Sequence, residues 1–130
     1  MAILSTDAST ALRRKTVSSG ELVATTTTDK IPFWVAPRAL TIKQALLVVT
    51  VTFTTAGITL LIGDGTTNNS YASFAATSST QAKNTVLAAT VTGTLVPNHG
   101  PVTASWTSNG GAGKFIIVLD WEPQEQDVLT

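Results

Sequence analysis

The sequence has no cysteine and one histidine in 130 residues. The first absence excludes a disulfide framework and any cysteine-based zinc site, and it fits a reducing compartment. Charge is scarce as well. Asp, Glu, Lys and Arg make up 12% of the residues and sum to a net charge of zero, where a typical soluble domain carries about 25%. No apolar run approaches the roughly 18 residues of a membrane span; Ala45 to Val49, among the longest, soon gives way to threonines. The opening MAILSTDASTALRRK puts its basic triplet after its brief apolar start, the wrong order for a secretory signal. The expectation is a soluble chain with no membrane partner, long enough for one domain with its own core.

With so few charges, much of the surface must be Thr, Ser, Ala and Gly. A free monomer of this kind is poorly protected against association. An obligate oligomer or a subunit of a larger assembly is therefore expected, because such proteins hide surface from water. The charges are also unevenly spread. Between Ile31 and Leu119, Arg38, Lys43, Lys83 and Lys114 face Asp64 alone, whereas Asp120, Glu122, Glu125 and Asp127 close the chain without a cation. Neutrality is the sum of a mildly basic body and an acidic end.

What is present is strand period. In Val48 to Thr54, Val49, Val51 and Phe53 fall on one face and threonines on the other. Ile58, Leu60 and Ile62 alternate likewise, as do Val102, Ala104 and Trp106. The branched β-carbons of the Val, Ile and Thr residues in these runs favour a pleated backbone. In K114-F-I-I-V-L-D-W-E122, Phe115, Ile117, Leu119 and Trp121 share one face, and Ile116 and Val118 share the other. Apolar residues on both faces predict a central strand, or one covered by a neighbouring subunit. Shorter runs are Glu21–Ala24, Ile31–Val35, Ala39–Lys43 and Thr85–Thr92, and Tyr71 to Ala76 reads equally as a strand or one helical turn. Turn chemistry separates the runs at Thr55–Gly57, Gly63–Gly65, Pro97–Pro101 and Ser108–Gly113. Seven to nine short strands are expected in an all-β antiparallel β-sandwich, jelly-roll-like, over residues 21–122. Residues 1–20 read as an extended N-terminal arm that orders against a partner, and 123–130 as an acidic C-terminal tail.

Few residues carry chemistry. The stretch G63-D-G-T-T-N-N-S70 lacks the alternating carboxylates of a calcium loop and the Lys of a phosphate loop. It reads as a hairpin turn in which Gly63 and Gly65 take positive φ and Asp64 caps local amides. His99 sits in a proline-bounded turn with neither orienter nor nucleophile beside it in sequence. No catalytic residues, metal ligands or cofactor are therefore expected, and the chain is not read as an enzyme. Trp34, Trp106 and Trp121 read as core or interface residues. The alternative is a sugar platform, with Asn68, Asn69, Tyr71, Trp106 and Asn109 as loop recognition residues. Arg13, Arg14 and Lys15 form the one dense basic cluster. It is too small for nucleic-acid binding and reads either as a docking group for an acidic protein surface or as solvated charge.

The order of pieces I31-P-F-W-V-A-P, A45-L-L-V-V-T-V-T-F-T, T59-L-L-I-G-D-G-T, T90-V-T-G-T and K114-F-I-I-V-L-D-W-E-P resembles small β-sandwich virion proteins of tailed bacteriophages. The resemblance covers roughly residues 21–122. It implies a capsid decoration (cement) protein or the knob of a head or tail fibre, usually a trimer. Self and the major capsid protein would be the partners. The location implied is the capsid surface of the virion, after synthesis in the host bacterial cytoplasm. It also implies that Met1–Gly20 docks on the shell, with Arg13, Arg14 and Lys15 in that contact. The fibre alternative implies recognition of a host-surface glycan.

Overall fold

A computed structural model describes residues 14–54, 58–74, 81–107 and 111–124. Among them the chain forms strands β1 (Lys15–Ser18), β2 (Leu22–Val23), β3 (Thr28–Val35), β4 (Leu40–Val51), β5 (Leu60–Gly63), β6 (Ala72–Ser73), β7 (Val86–Ala88), β8 (Thr90–Val91), β9 (Leu95–Val96), β10 (Pro101–Trp106) and β11 (Lys114–Pro123). They make two antiparallel sheets, an all-β sandwich. The first has the order β1-β11-β4-β7, with β2 added to β11 and β9 to β4; the second has the order β3-β10-β5-β6-β8.

The longest ladder joins the two strands with the clearest apolar pattern. β11 runs antiparallel to β4 from Lys114 opposite Val51 to Pro123 opposite Leu40. Phe115, Ile117, Leu119 and Trp121 point inward and are buried, as the alternation predicts. β11 is a central strand, flanked by β1 and β4. The second sheet answers with Leu60, Ile62, Val102, Ala104 and Trp106, all buried. Two aromatic contacts join the layers, and a third packs Phe53, just beyond β4, on β11. Phe115 meets Trp106 edge-on at 5.1 Å and Phe53 at 6.2 Å, and Trp34 tilts against Trp121 at 5.4 Å.

The strands outnumber the expected seven to nine because several are two-residue ladder fragments. The alternation of β4 is broken by bulges. The register against β11 shifts between Asp120 and Trp121, leaving both Lys43 and Gln44 exposed, and again between Lys114 and Phe115. The second shift turns Val51 outward, 42% exposed, although period two from Val49 places it in the core.

Part of the segment read as an arm belongs to the sheet. Val17 lies opposite Leu119 and packs on the core. Ser19 continues the ladder: its amide donates to the Ile117 carbonyl at 2.8 Å, and its Oγ accepts from the Ile117 amide at 2.9 Å. One apolar residue is a thin local signal, and the pairing is supplied by β11, a hundred residues away in sequence. Residues 1–13 and the tail from 125 onward lie outside the described residues.

Candidate docking face and ligand cleft

The outer faces of the two sheets differ in chemistry. On the first sheet, cross-strand partners line up in outward rows. Ile116 pairs with Val48, which pairs with Val86; Val118 pairs with Leu46, which pairs with Ala88. A further row joins Val23, Lys114 and Val51. Val86 is 53% exposed and Val23 40%, while Leu46, Val48, Ile116 and Val118 are half-buried. An antiparallel sheet with one face on the core normally shows water a polar second face. Here an apolar centre has polar ends. At one end Thr16 donates to Asp120 at 2.7 Å and Arg14 approaches Glu122 at 3.4 Å. At the other, Thr50 donates to Glu21 at 2.7 Å and Lys114 lies 3.8 Å from Glu21. An apolar centre with a polar rim is the anatomy of a protein–protein interface.

Two members of the basic triplet, Arg14 and Lys15, lie beside this face. Arg14 is exposed and engages the acidic end of its own chain through Glu122; Lys15 is exposed at the start of β1. Arg13 lies outside the described residues.

The second sheet is covered in part by the loop between β5 and β6. Asp64 Oδ1 accepts from the amides of Thr66 at 2.8 Å and Thr67 at 2.7 Å. The loop is thus an Asx-type cap inside a hairpin, since β5 and β6 pair antiparallel. Gly65 has φ +91°, as expected of this turn. Gly63 does not take positive φ; it is glycine because a Cβ there would overlap the Thr67 carbonyl and stand 2.5 Å from the Asn68 carbonyl oxygen. The folded-back loop buries Thr103 at 3% exposure on a face that alternation alone would leave in water.

The amides of Thr67 and Thr66 hold the Asp64 carboxyl below its ordinary pKa. A carboxyl depressed in the folded state stabilises it above the unfolded pKa, near ~3.9, and that contribution is lost as pH falls through the folded value. Amide signals of Thr66 and Thr67 are therefore expected to move together in an acid titration below about pH 4. Asp64→Asn, which keeps an acceptor at Oδ1, is expected to abolish that step; an unchanged titration would remove Asp64 as its source.

Beside the loop lies an open cleft of about 280 Å³. Asp29, Asn68 and Ser105 line it together with Thr28, Thr59, Leu61 and Trp106. A bulge builds its polar corner. The register between β3 and β10 shifts between Ala104 and Trp106, and Lys30 adopts φ +52°, a strained conformation for a residue with a long side chain. The Lys30 amide then donates to Ser105 Oγ at 2.8 Å. Asp29 Oδ1 accepts from Asn68 Nδ2 at 3.2 Å and Ser105 Oγ at 3.3 Å. The hydrogen bond from Lys30, helped by those from Asn68 and Ser105, keeps the Asp29 carboxyl below its ordinary pKa. Asn68 Oδ1 is buried without a hydrogen-bond partner.

Of the loop recognition residues, the structure brings Asn68 and Trp106 together at this cleft. Asn69 is exposed on the same loop. Tyr71 is 3% exposed, and burial, with the Asp64 charge adding to it, pushes its hydroxyl pKa up. Trp106 is 5% exposed, donates its Nε1–H to the Val23 carbonyl at 3.1 Å and gives only its margin to the cleft. Neither ring offers a free face for stacking. Asn109 lies outside the described residues. Asp29 was missed because no motif surrounds it; a bulge and a distant loop give it its partners. His99 is exposed in its turn with φ +61°, its amide bonded to the Ala36 carbonyl.

The sequence matches no protein-family model and no curated protein. Solved structures do share the fold. One is a chain of the cyanophage Pam1 capsid asymmetric unit, with TM-score 0.56 and 18% identity over 85% of this chain and 84% of that one. Another is a chain of the capsid of Ralstonia phage GP4, with TM-score 0.52 and 20% identity over 86% of each. At these identities the likeness is one of fold.

Proposed function

We propose that the chain is a structural protein of a tailed-phage virion, a decoration (cement) protein that binds and stabilises the head as a homotrimer. The apolar outer face of the first sheet, rimmed by polar residues, carries this reading. It is a surface suited to burial against another protein and ill suited to remain in water. The shared fold with chains of two phage capsids supports it, as do the scarcity of charge and the lack of a catalytic constellation in the sequence. The partners are other copies of the chain and the major capsid protein, met on the outside of the shell. Repetition over the shell makes modest contacts strong through multivalency. The basic cluster Arg13, Arg14 and Lys15 adds pairing to acidic groups of the partner.

The deciding measurement is the ratio of this protein to major capsid protein in purified particles, by quantitative mass spectrometry. A ratio comparable to that of the shell protein is expected. A few copies per particle would favour the fibre or receptor-binding alternative, and absence would end the virion reading. Reversing the charge of Arg13, Arg14 and Lys15 together is expected to weaken capsid binding and flatten its salt dependence. Unchanged binding would remove the triplet from the contact.

A further inference from the structure

We infer that the cleft over the outer face of the second sheet is a binding site for one neutral sugar residue, recognised by Asp29, Thr28 and Thr59, with Ser105 holding Asp29 in place. The inference does not depend on where in a virion the chain sits. Its basis is the lining. The threonine hydroxyls both donate and accept, and the Asp29 carboxylate only accepts. A sugar ring presents hydroxyls that do both, so each lining group finds a complement. Leu61 and the margin of Trp106 supply an apolar floor for ring C–H groups.

Other ligand classes fit less well. The Asp29 carboxylate repels phosphates and sulfates, and the Lys30 ammonium 3.4 Å from it is already paired with that carboxylate. A divalent cation needs several oxygen ligands with enough negative charge to offset its dehydration, and Asp29 is the only acid in the lining. A purely apolar ligand would strip water from the hydroxyls without replacing their hydrogen bonds.

The corner is also held in position before any ligand arrives. The Lys30 bulge stores backbone strain, and strain of this kind clusters where a site is being shaped. Its result is an Asp29 carboxylate oriented by Asn68 and Ser105 yet still largely open to solvent, with its side chain 65% exposed. Orientation without occlusion is what a binding carboxylate needs.

The test is an amide-resolved NMR titration of the full chain, run separately with glucose, galactose and N-acetylglucosamine. Saturable shifts confined to Asp29, Lys30, Asn68 and Ser105 are expected for at least one sugar, with half-saturation on the order of 1 mM for a single-residue contact. Asp29 is exposed, so Asp29→Ala is expected to fold normally and to weaken binding about tenfold through the lost charge-assisted hydrogen bonds. Thr59→Val provides a second, near-isosteric loss. No shift with any of the three sugars in the folded wild type would overturn the proposal. So would shifts that persist unchanged in both variants. A response to methylammonium chloride without one to sugars would also overturn it, making the cleft a socket for a partner's lysine. These outcomes are read on the free chain, so they are separate from the particle ratio that tests the decoration role.

Discussion

Phe115→Ala is expected to unfold the domain or leave it marginal, while Ile116→Ala, one residue along the same strand, leaves it folded. Phe115 is fully buried, with Trp106 and Phe53 both edge-on to its ring. Truncating such a ring costs about 3–5 kcal/mol, through lost transfer free energy and the cavity left behind. A domain of this size has a total stability of roughly 5–15 kcal/mol, so one substitution removes much of it. Ile116 faces outward beside Val48 and is half-buried. Its truncation is expected to cost about 1 kcal/mol or less in the isolated chain. The pair separates two roles of one strand. If the outer face is a docking face, Ile116→Glu is expected to abolish binding to particles while the isolated chain still melts cooperatively. Denaturant titration reads the fold, and co-sedimentation with particles reads the docking. An Ile116→Glu protein that still decorates would remove the outer face of the first sheet from the contact.

Much of the sandwich was legible because alternation of branched and polar residues reports directly on which side chains face the core. The reading of β11 and β10 and of Ile58, Leu60 and Ile62 rested on that signal, and the residues it placed inside are inside. It failed where the period was interrupted. Lys43 and Gln44 are both exposed, and Val51 turns out of the core, because a bulge adds a residue on one strand and shifts the facing there, whereas Phe53 is buried as the alternation places it. Nothing local marks where a bulge will fall. Burial of Thr103 and Ser105 was equally invisible, since what covers them comes from the β5–β6 loop and from β3. The cleft shares this origin. Asn68 was legible as a loop residue, but its partner Asp29 lies 39 positions away and reaches it through a strained lysine. Local chemistry identified Asp64 as a cap of nearby amides because donor and acceptor lie within three residues of each other.

Gly63→Ala is expected to dismantle the loop and the cleft together, and to cost far more than Gly65→Ala. The two glycines bracket Asp64 and look interchangeable in the sequence. At Gly65 the demand is conformational. Its φ of +91° disfavours a side chain, but a Cβ there would meet only Pro101 and Thr103 at 3.8 Å, an ordinary contact. The cost is that of a left-handed residue, about 1–2 kcal/mol. At Gly63 the demand is steric and the obstruction is main chain, the carbonyls of Thr67 and Asn68, which no rotamer change can move aside. The loop must lift from the sheet, which breaks the hydrogen bond from the Asp64 amide to the Thr67 carbonyl and those from the Thr66 and Thr67 amides to the Asp64 carboxylate, and withdraws Asn68 from Asp29. Overfilling a tight site costs about 1–3 kcal/mol, and the lost hydrogen bonds place the expected value at the top of that range or above. Denaturant midpoints of the two variants give the comparison. Amide signals of Asp29, Lys30 and Ser105 give the local readout, expected to shift in Gly63→Ala and to stay in place in Gly65→Ala. Equal destabilisation by the two substitutions would mean that the loop yields at Gly63 without leaving the sheet, and that the second sheet tolerates a looser cover than its buried Thr103 implies.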